Sequence, residues 1–171
     1  MRPLLWCVIA VLRRSARRGA QRTLLAAAAS AWGASAWSAS PPATPSCSVS
    51  TASTVNFGIY DVFAAAANTG GVGNFTIRCS SPATHYVLAL STGLSGRFGQ
   101  RMLSSGASAL RYNLYTSAAR STIWGDGTGG SSTVNGSANG TTRLDVFGLI
   151  PARQDVAVGS YSDRITVTLE F

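Results

Sequence analysis

From Cys47 onward the chain alternates apolar and polar positions with a period of two, the pattern of strands with one buried face. Cys47, Val49, Val55 and Phe57 share one parity in CSVSTASTVNF, and Phe75, Ile77 and Cys79 share one in NFTIRCS. HYVLALS (85–91) sets Tyr86, Leu88 and Leu90 on one face, and ALRYNLYT (109–116) does the same with Leu110, Tyr112 and Leu114. TRLDVFGLI (142–150) is more mixed. The closing YSDRITVTLEF is the cleanest run: Tyr161, Ile165, Val167, Leu169 and Phe171 face one way, and Ser162, Arg164, Thr166, Thr168 and Glu170 the other. Turn-forming clusters separate the runs: NTGGVGN (68–74), STGLSG (91–96), GDGTGGSSTVNGSANG (125–140) and PARQD (151–155). About seven short strands at this spacing predict an all-β, antiparallel sandwich. The Ala-rich VFAAAAN (62–68) predicts at most a helical turn or short helix.

The first 46 residues differ. Residues 1–36 hold six arginines and no acid, so of the net charge of +8 only +2 belongs to the remainder. A nucleic-acid binder keeps its basic patch in the folded domain; here it sits in the leader, and no nucleic-acid partner is expected. The Arg-rich segment 13–22, the apolar LLAAAASAWGA (24–34) and the small residues Ala34-Ser35-Ala36 together predict an export signal over residues 1–36. Neither that run nor PLLWCVIAVL (3–12) reaches the ~18 apolar residues of a spanning helix, so no membrane span is expected in the mature chain. Two apolar runs flanking an arginine cluster are unusual in one leader, and a translation start near Val11 would explain them. Residues 37–46, WSASPPATPS, form a Pro/Ser-rich linker without alternation, leaving 47–171 as one domain.

Cys7 leaves with the leader. Cys47 and Cys79 remain, an even count in an exported chain, and predict one disulfide. Both fall on the apolar parity of their strands, so the bridge is expected to be buried.

Candidate chemistry is sparse. Gly125, Gly127 and Gly130 spell G-x-G-x-x-G, with Asp145 twenty residues past Gly125. A dinucleotide cradle needs that loop to open a helix whose N-terminus holds the pyrophosphate. SSTVNGSANGTT follows instead, too rich in Gly, Asn and β-branched residues for a helix, so the loop reads as a flexible connection and no cofactor is expected. The sole histidine, His85, lies opposite the apolar parity of its run, no G-x-S-x-G elbow surrounds any serine, and the six acids are scattered. Neither enzyme nor metal site is predicted. Sequons stand at Asn74, Asn135 and Asn139. Trp124, at the edge of the glycine loop, is the aromatic residue expected to be an exposed contact, and it carries the alternative of a self-contained secreted module binding carbohydrate or a surface.

YNLYTSAARSTIWGDGTGG, VFGLIPARQDVAVGSYSD and the closing ITVTLEF together resemble the spore coat protein U domain family, which includes subunits of archaic chaperone–usher pili of the Csu type. The resemblance spans about residues 46–171. It implies an immunoglobulin-like antiparallel β-sandwich lacking its final strand, and a groove filled first by a periplasmic pilus chaperone and then by a strand from a neighbouring pilin subunit. It further implies an outer-membrane usher as partner, and passage through the periplasm to the cell surface. The terminal strand, with Tyr161, Ile165, Val167, Leu169 and Phe171, would border the groove and dock the chaperone. A polymerising pilin carries an alternating apolar donor segment before its first strand. WSASPPATPS has neither the length nor the pattern, and its prolines interrupt strand pairing. A terminal subunit, minor component or coat-type protein is therefore expected rather than a shaft subunit.

Overall fold

A computed structural model of the chain describes residues 4–15 and 45–171. Residues 1–3 and 16–44, which hold most of the expected leader and the expected linker as far as residue 44, lie outside the described residues. Within 45–171 the alternating runs become seven strands: β2 (Cys47–Ser53), β3 (Asn56–Ile59), β4 (Val72–Leu90), β5 (Arg101–Ser105), β6 (Ser108–Tyr115), β7 (Val134–Leu149) and β8 (Tyr161–Glu170). An eighth, β1 (Leu4–Ser15), precedes them. Two 3-10 turns, Gly93–Ser95 and Phe98–Gln100, lie between β4 and β5.

Hydrogen-bonded neighbours run in the order β2-β4-β7-β6-β5-β8-β1-β3, and the second half of β4 also pairs with β8. Among the described residues every pair is antiparallel except β1 with β8. The result is an immunoglobulin-like sandwich in which β4 joins the two faces. Its core takes the alternating residues: Val49, Phe57, Phe75, Ile77, Leu88, Leu90, Leu110, Leu114, Ile165 and Leu169 are buried. Phe57 meets Tyr112 edge-on at 5.9 Å between ring centroids, a geometry the ring quadrupoles favour.

Cys47 and Cys79 stand directly opposite each other across β2 and β4 and form the expected disulfide, buried at one end of the core. The bridge closes 32 residues of sequence, which on chain-entropy grounds stabilises the fold by about 3–4 kcal/mol.

One local expectation narrows and two are corrected. VFAAAAN takes the shorter form expected of it: the Ala64 amide donates to the Asp61 carbonyl in a single turn, no helix forms, and Phe63 stands exposed. NFTIRCS and HYVLALS belong to one strand, because after a register shift between Cys79 and Thr84 the ladder to β7 resumes. The back half of the glycine-rich stretch is likewise strand, not loop, since β7 begins at Val134. Gly136 allows this; a Cβ there would lie 2.8 Å from the Tyr86 hydroxyl on the facing strand.

Candidate functional site: a strand-acceptor edge

β8 is the strand in which sequence pattern and position coincide. Tyr161, Ile165, Val167 and Leu169 are buried as their parity demands, and Phe171 packs half-buried against the core. The Tyr161 hydroxyl bridges Ser108 Oγ and the Ala157 carbonyl, each at 2.7 Å, which satisfies the one polar atom that burial would otherwise strand.

One edge of β8 is occupied by the domain itself. Val167–Glu170 pair with Val87–Leu90 of β4. Ser91 continues that edge: its amide donates to the Thr166 carbonyl and its Oγ accepts from the Thr166 amide, both at 2.9 Å. Ser104 of β5 pairs with Ser162.

Asp163 lies between Tyr161 and Ile165 on the apolar parity, and it is buried. Its carboxylate accepts hydrogen bonds from the Tyr112 hydroxyl (2.7 Å), the Leu94 amide (2.9 Å) and the Arg164 amide (2.7 Å). Gly93, at φ 68°, lies so close that a Cβ would collide with this carboxylate. A second buried polar group adjoins. Arg101 donates to Asn113 Oδ1, to the Ser91 carbonyl and to the Trp124 carbonyl, and its guanidinium lies 5.3 Å from the Phe98 ring centroid. Asn113 donates on to the Phe98 carbonyl. These groups pin the 91–100 connection beside β8. The sequence pattern of apolar positions passes over them, although an acid on the apolar parity of the cleanest strand is a legible signal of a buried partner.

The other edge of β8 faces β1. The pair is parallel, with Leu5 opposite Tyr161, Cys7 opposite Asp163, Ile9 opposite Ile165 and, past a shift between Ile9 and Leu12, Leu12 opposite Val167. β1 pairs on its far side with β3, Leu4 opposite Ile59. Among the described residues β3 has no other strand partner. Without β1, β8 and β3 would flank a gap of two strand spacings, roughly 10 Å.

Trp124 is not the exposed contact expected from its neighbours in sequence. It is 1% exposed. Its indole N–H donates to the Leu88 carbonyl at 3.0 Å and its ring meets Phe75 edge-on at 5.7 Å. The connection just past it is fastened on both sides, Leu90 to Gly125 and Gly125 to Ser132, so indole and backbone together plug one side of the core. At the tip, the Thr128 hydroxyl and amide both donate to Asp126, which holds that carboxyl below its ordinary value of 3.8. No helix follows; Gly127, Gly129 and Gly130 have φ of 89°, 56° and 77°, and the chain enters β7. His85 is exposed and bonds Ser137. Asn74 is buried, while Asn135 and Asn139 are exposed. Among the described residues no cluster of His, Cys, Asp and Glu could hold a metal ion, and no helix is long and apolar enough to cross a membrane.

The described strands form an antiparallel immunoglobulin-like sandwich in which β8 pairs with β4 and β5 along one edge and with β1 along the other. The Spore Coat Protein U domain matches residues 34–168, and the chain belongs to that family. The fold is similar to that of a chain in the crystal structure of the CsuC–CsuE chaperone–tip adhesion subunit pre-assembly complex, from archaic chaperone–usher Csu pili of Acinetobacter baumannii. The TM-score is 0.52 and the identity 25%, over 75% of this chain. The match spans 40% of the length of that neighbour. No curated protein matches the sequence.

Proposed function

We propose that the chain is an exported, non-enzymatic subunit of a surface pilus or coat, assembled by chaperone-assisted strand complementation along β8. One observation carries the reading: β3 joins the rest of the sheet only through β1 among the described residues, and β1 lies outside the family-matched domain. The domain's own strands leave an edge with unpaired backbone groups beside an apolar core, the template that strand addition uses. Residues Tyr161, Ile165, Val167, Leu169 and Phe171 form the acceptor edge in this reading. Residues 1–36 act as the export signal, 37–46 as a linker and 47–171 as the acceptor domain. The partners are a periplasmic pilus chaperone, an outer-membrane usher and a neighbouring subunit that donates a strand. The Pro-rich 37–46 stretch is a poor donor, which favours a terminal or minor position over the shaft. The rival binding module loses the residue it rested on, because Trp124 is buried.

The test is periplasmic production of residues 37–171 alone, followed by size-exclusion chromatography and thermal unfolding. The expected outcome is aggregation or low stability, relieved by co-expressed chaperone or by an added peptide of alternating apolar residues. A monodisperse monomer with a cooperative transition that ignores the peptide would mean a closed fold, and the proposal would fall.

A further inference from the structure

The seam between β8 and β3 is filled by a segment of this same chain, Leu4–Ser15. Its sequence suits the position. LLWCVIAVL is nine consecutive apolar residues with β-branched Val8, Ile9 and Val11, a composition that fits a strand flanked on both sides. The register sets Leu5, Ile9 and Leu12 opposite the core-facing Tyr161, Ile165 and Val167, and brings Arg13 and Arg14 level with Thr168 and Leu169, next to Glu170.

We infer that in the unprocessed precursor residues 4–15 close the acceptor seam in cis, so that removal of the leader is the step that opens it to a strand from another protein. The inference rests on the reading of β8 as an acceptor edge, and adds to it the occupant before any chaperone arrives. Two arguments favour the chain's own segment over that of a second copy. The 31 residues from 16 to 46 can span up to ~100 Å, far more than a domain of this size with a radius of gyration of roughly 14 Å. A tethered strand also acts at an effective concentration in the millimolar range, well above a second molecule at micromolar concentration. The parallel sense needs no tight turn, since the two strands come from opposite ends of the chain.

Disulfide trapping in the full chain tests this. The background is Cys7→Ser, with the protein produced in an oxidising cytoplasm so that the leader stays attached. Val8 pairs with Arg164, which is exposed and replaceable. Val8→Cys with Arg164→Cys should form an intramolecular bond at least tenfold more completely than Val8→Cys with Arg78→Cys, in a monomer and independently of concentration. A folded monomer that fails to cross-link overturns the inference, and a cross-linked dimer assigns the seam to a second copy. A full chain that aggregates as readily as residues 37–171 also overturns it, since a filled seam must be soluble. So does a native precursor that mass spectrometry shows to start at Val11 or later. In all four cases β8 still acts as the acceptor edge if the 37–171 chain is rescued by chaperone or peptide. Only a closed, peptide-insensitive 37–171 monomer removes that reading as well.

Discussion

Trp124 offers the sharpest test of the core. Trp124→Ala removes the ring that meets Phe75 and the indole N–H that donates to the Leu88 carbonyl. Truncating a buried Trp to Ala costs about 3–5 kcal/mol. The lost hydrogen bond, which leaves a buried carbonyl short of a donor, adds about 1 kcal/mol. Together these predict about 4–6 kcal/mol, and with a urea dependence of about 2 kcal/mol/M the midpoint falls by about 2–3 M. Trp124→Phe keeps most of the apolar contact and loses the hydrogen bond, so it should cost about 1–2 kcal/mol. The assay is equilibrium urea unfolding of the disulfide-bonded full chain, followed by circular dichroism. A chain carrying Trp6→Phe, Trp32→Phe and Trp37→Phe leaves Trp124 as the sole indole; its native emission should be blue-shifted and resist acrylamide. If Trp124→Ala moves the midpoint by less than ~0.3 M, or the indole quenches freely, the buried placement is wrong. The residue then returns to the surface, and the secreted binding module with it.

Reducing Cys47–Cys79, or replacing both by Ser, should lower stability by about 3–4 kcal/mol; matching urea midpoints with and without reductant would contradict that. Gly93 and Gly96 share a left-handed φ, 68° and 70°, but only Gly93 lies against the Asp163 carboxylate. Gly96→Ala should therefore cost only the backbone strain, about 1–2 kcal/mol. Gly93→Ala should cost that plus part of the hydrogen bonding to Asp163, about 3–4 kcal/mol in total; equal shifts in melting temperature would refute the contact. Thr128 holds the Asp126 carboxyl below 3.8. With the folded pKa the lower one, the stabilisation it brings is full above the unfolded value and fades as pH falls through the folded value. Thr128→Val should move the Asp126 titration upward in carboxyl-carbon NMR; an unmoved curve would sink the assignment.

The alternation was enough to place most of the core, because each strand buries one face and the period of two records which. The cysteine count in an exported chain predicted the disulfide, and the alternation predicted its burial, since both cysteines sit on the buried parity; in the fold they meet as opposed neighbours. What the alternation could not show depends on contacts distant in sequence. Trp124 looks like a loop residue among Thr122, Ile123 and Gly125, and its burial is decided by Phe75 and Leu88. NFTIRCS and HYVLALS read as two separate runs, yet β4 carries both and resumes its ladder after the shift between Cys79 and Thr84. β7 carries Gly136 and Gly140 against its strand propensity, and Gly136 is explained only by the Tyr86 hydroxyl across the ladder. Leu4–Ser15 reads as half of a leader. Nothing local reveals that its register matches the strand at the other end of the chain.

On the proposed reading of β8 as an acceptor edge, the buried polar groups beside it explain how it would hold its register before a partner strand arrives. A strand whose register is set only by one apolar face tolerates displacement in steps of two residues, which preserve the pattern. Asp163 removes that freedom. Moving β8 by two residues would take its carboxylate away from the Tyr112 hydroxyl and the Leu94 amide, and would set an apolar residue against those donors. Leaving such buried donors and a carboxylate unsatisfied costs about 1–3 kcal/mol for each group. Ser91 adds a second lock at Thr166, where its amide and hydroxyl engage both backbone groups of one residue. The edge of β8 toward β4 and the 91–94 connection is thus fixed by specific partners, and the edge toward β1 carries the parallel backbone ladder from Tyr161 to Glu170. Asp163→Asn together with Ser91→Ala should therefore do more than destabilise. It should broaden the register in which residues 4–15 pair, so that Val8→Cys cross-links to Ser162→Cys and Thr166→Cys as well as to Arg164→Cys. A single sharp cross-link at position 164 in that background would show that the apolar face alone sets the register.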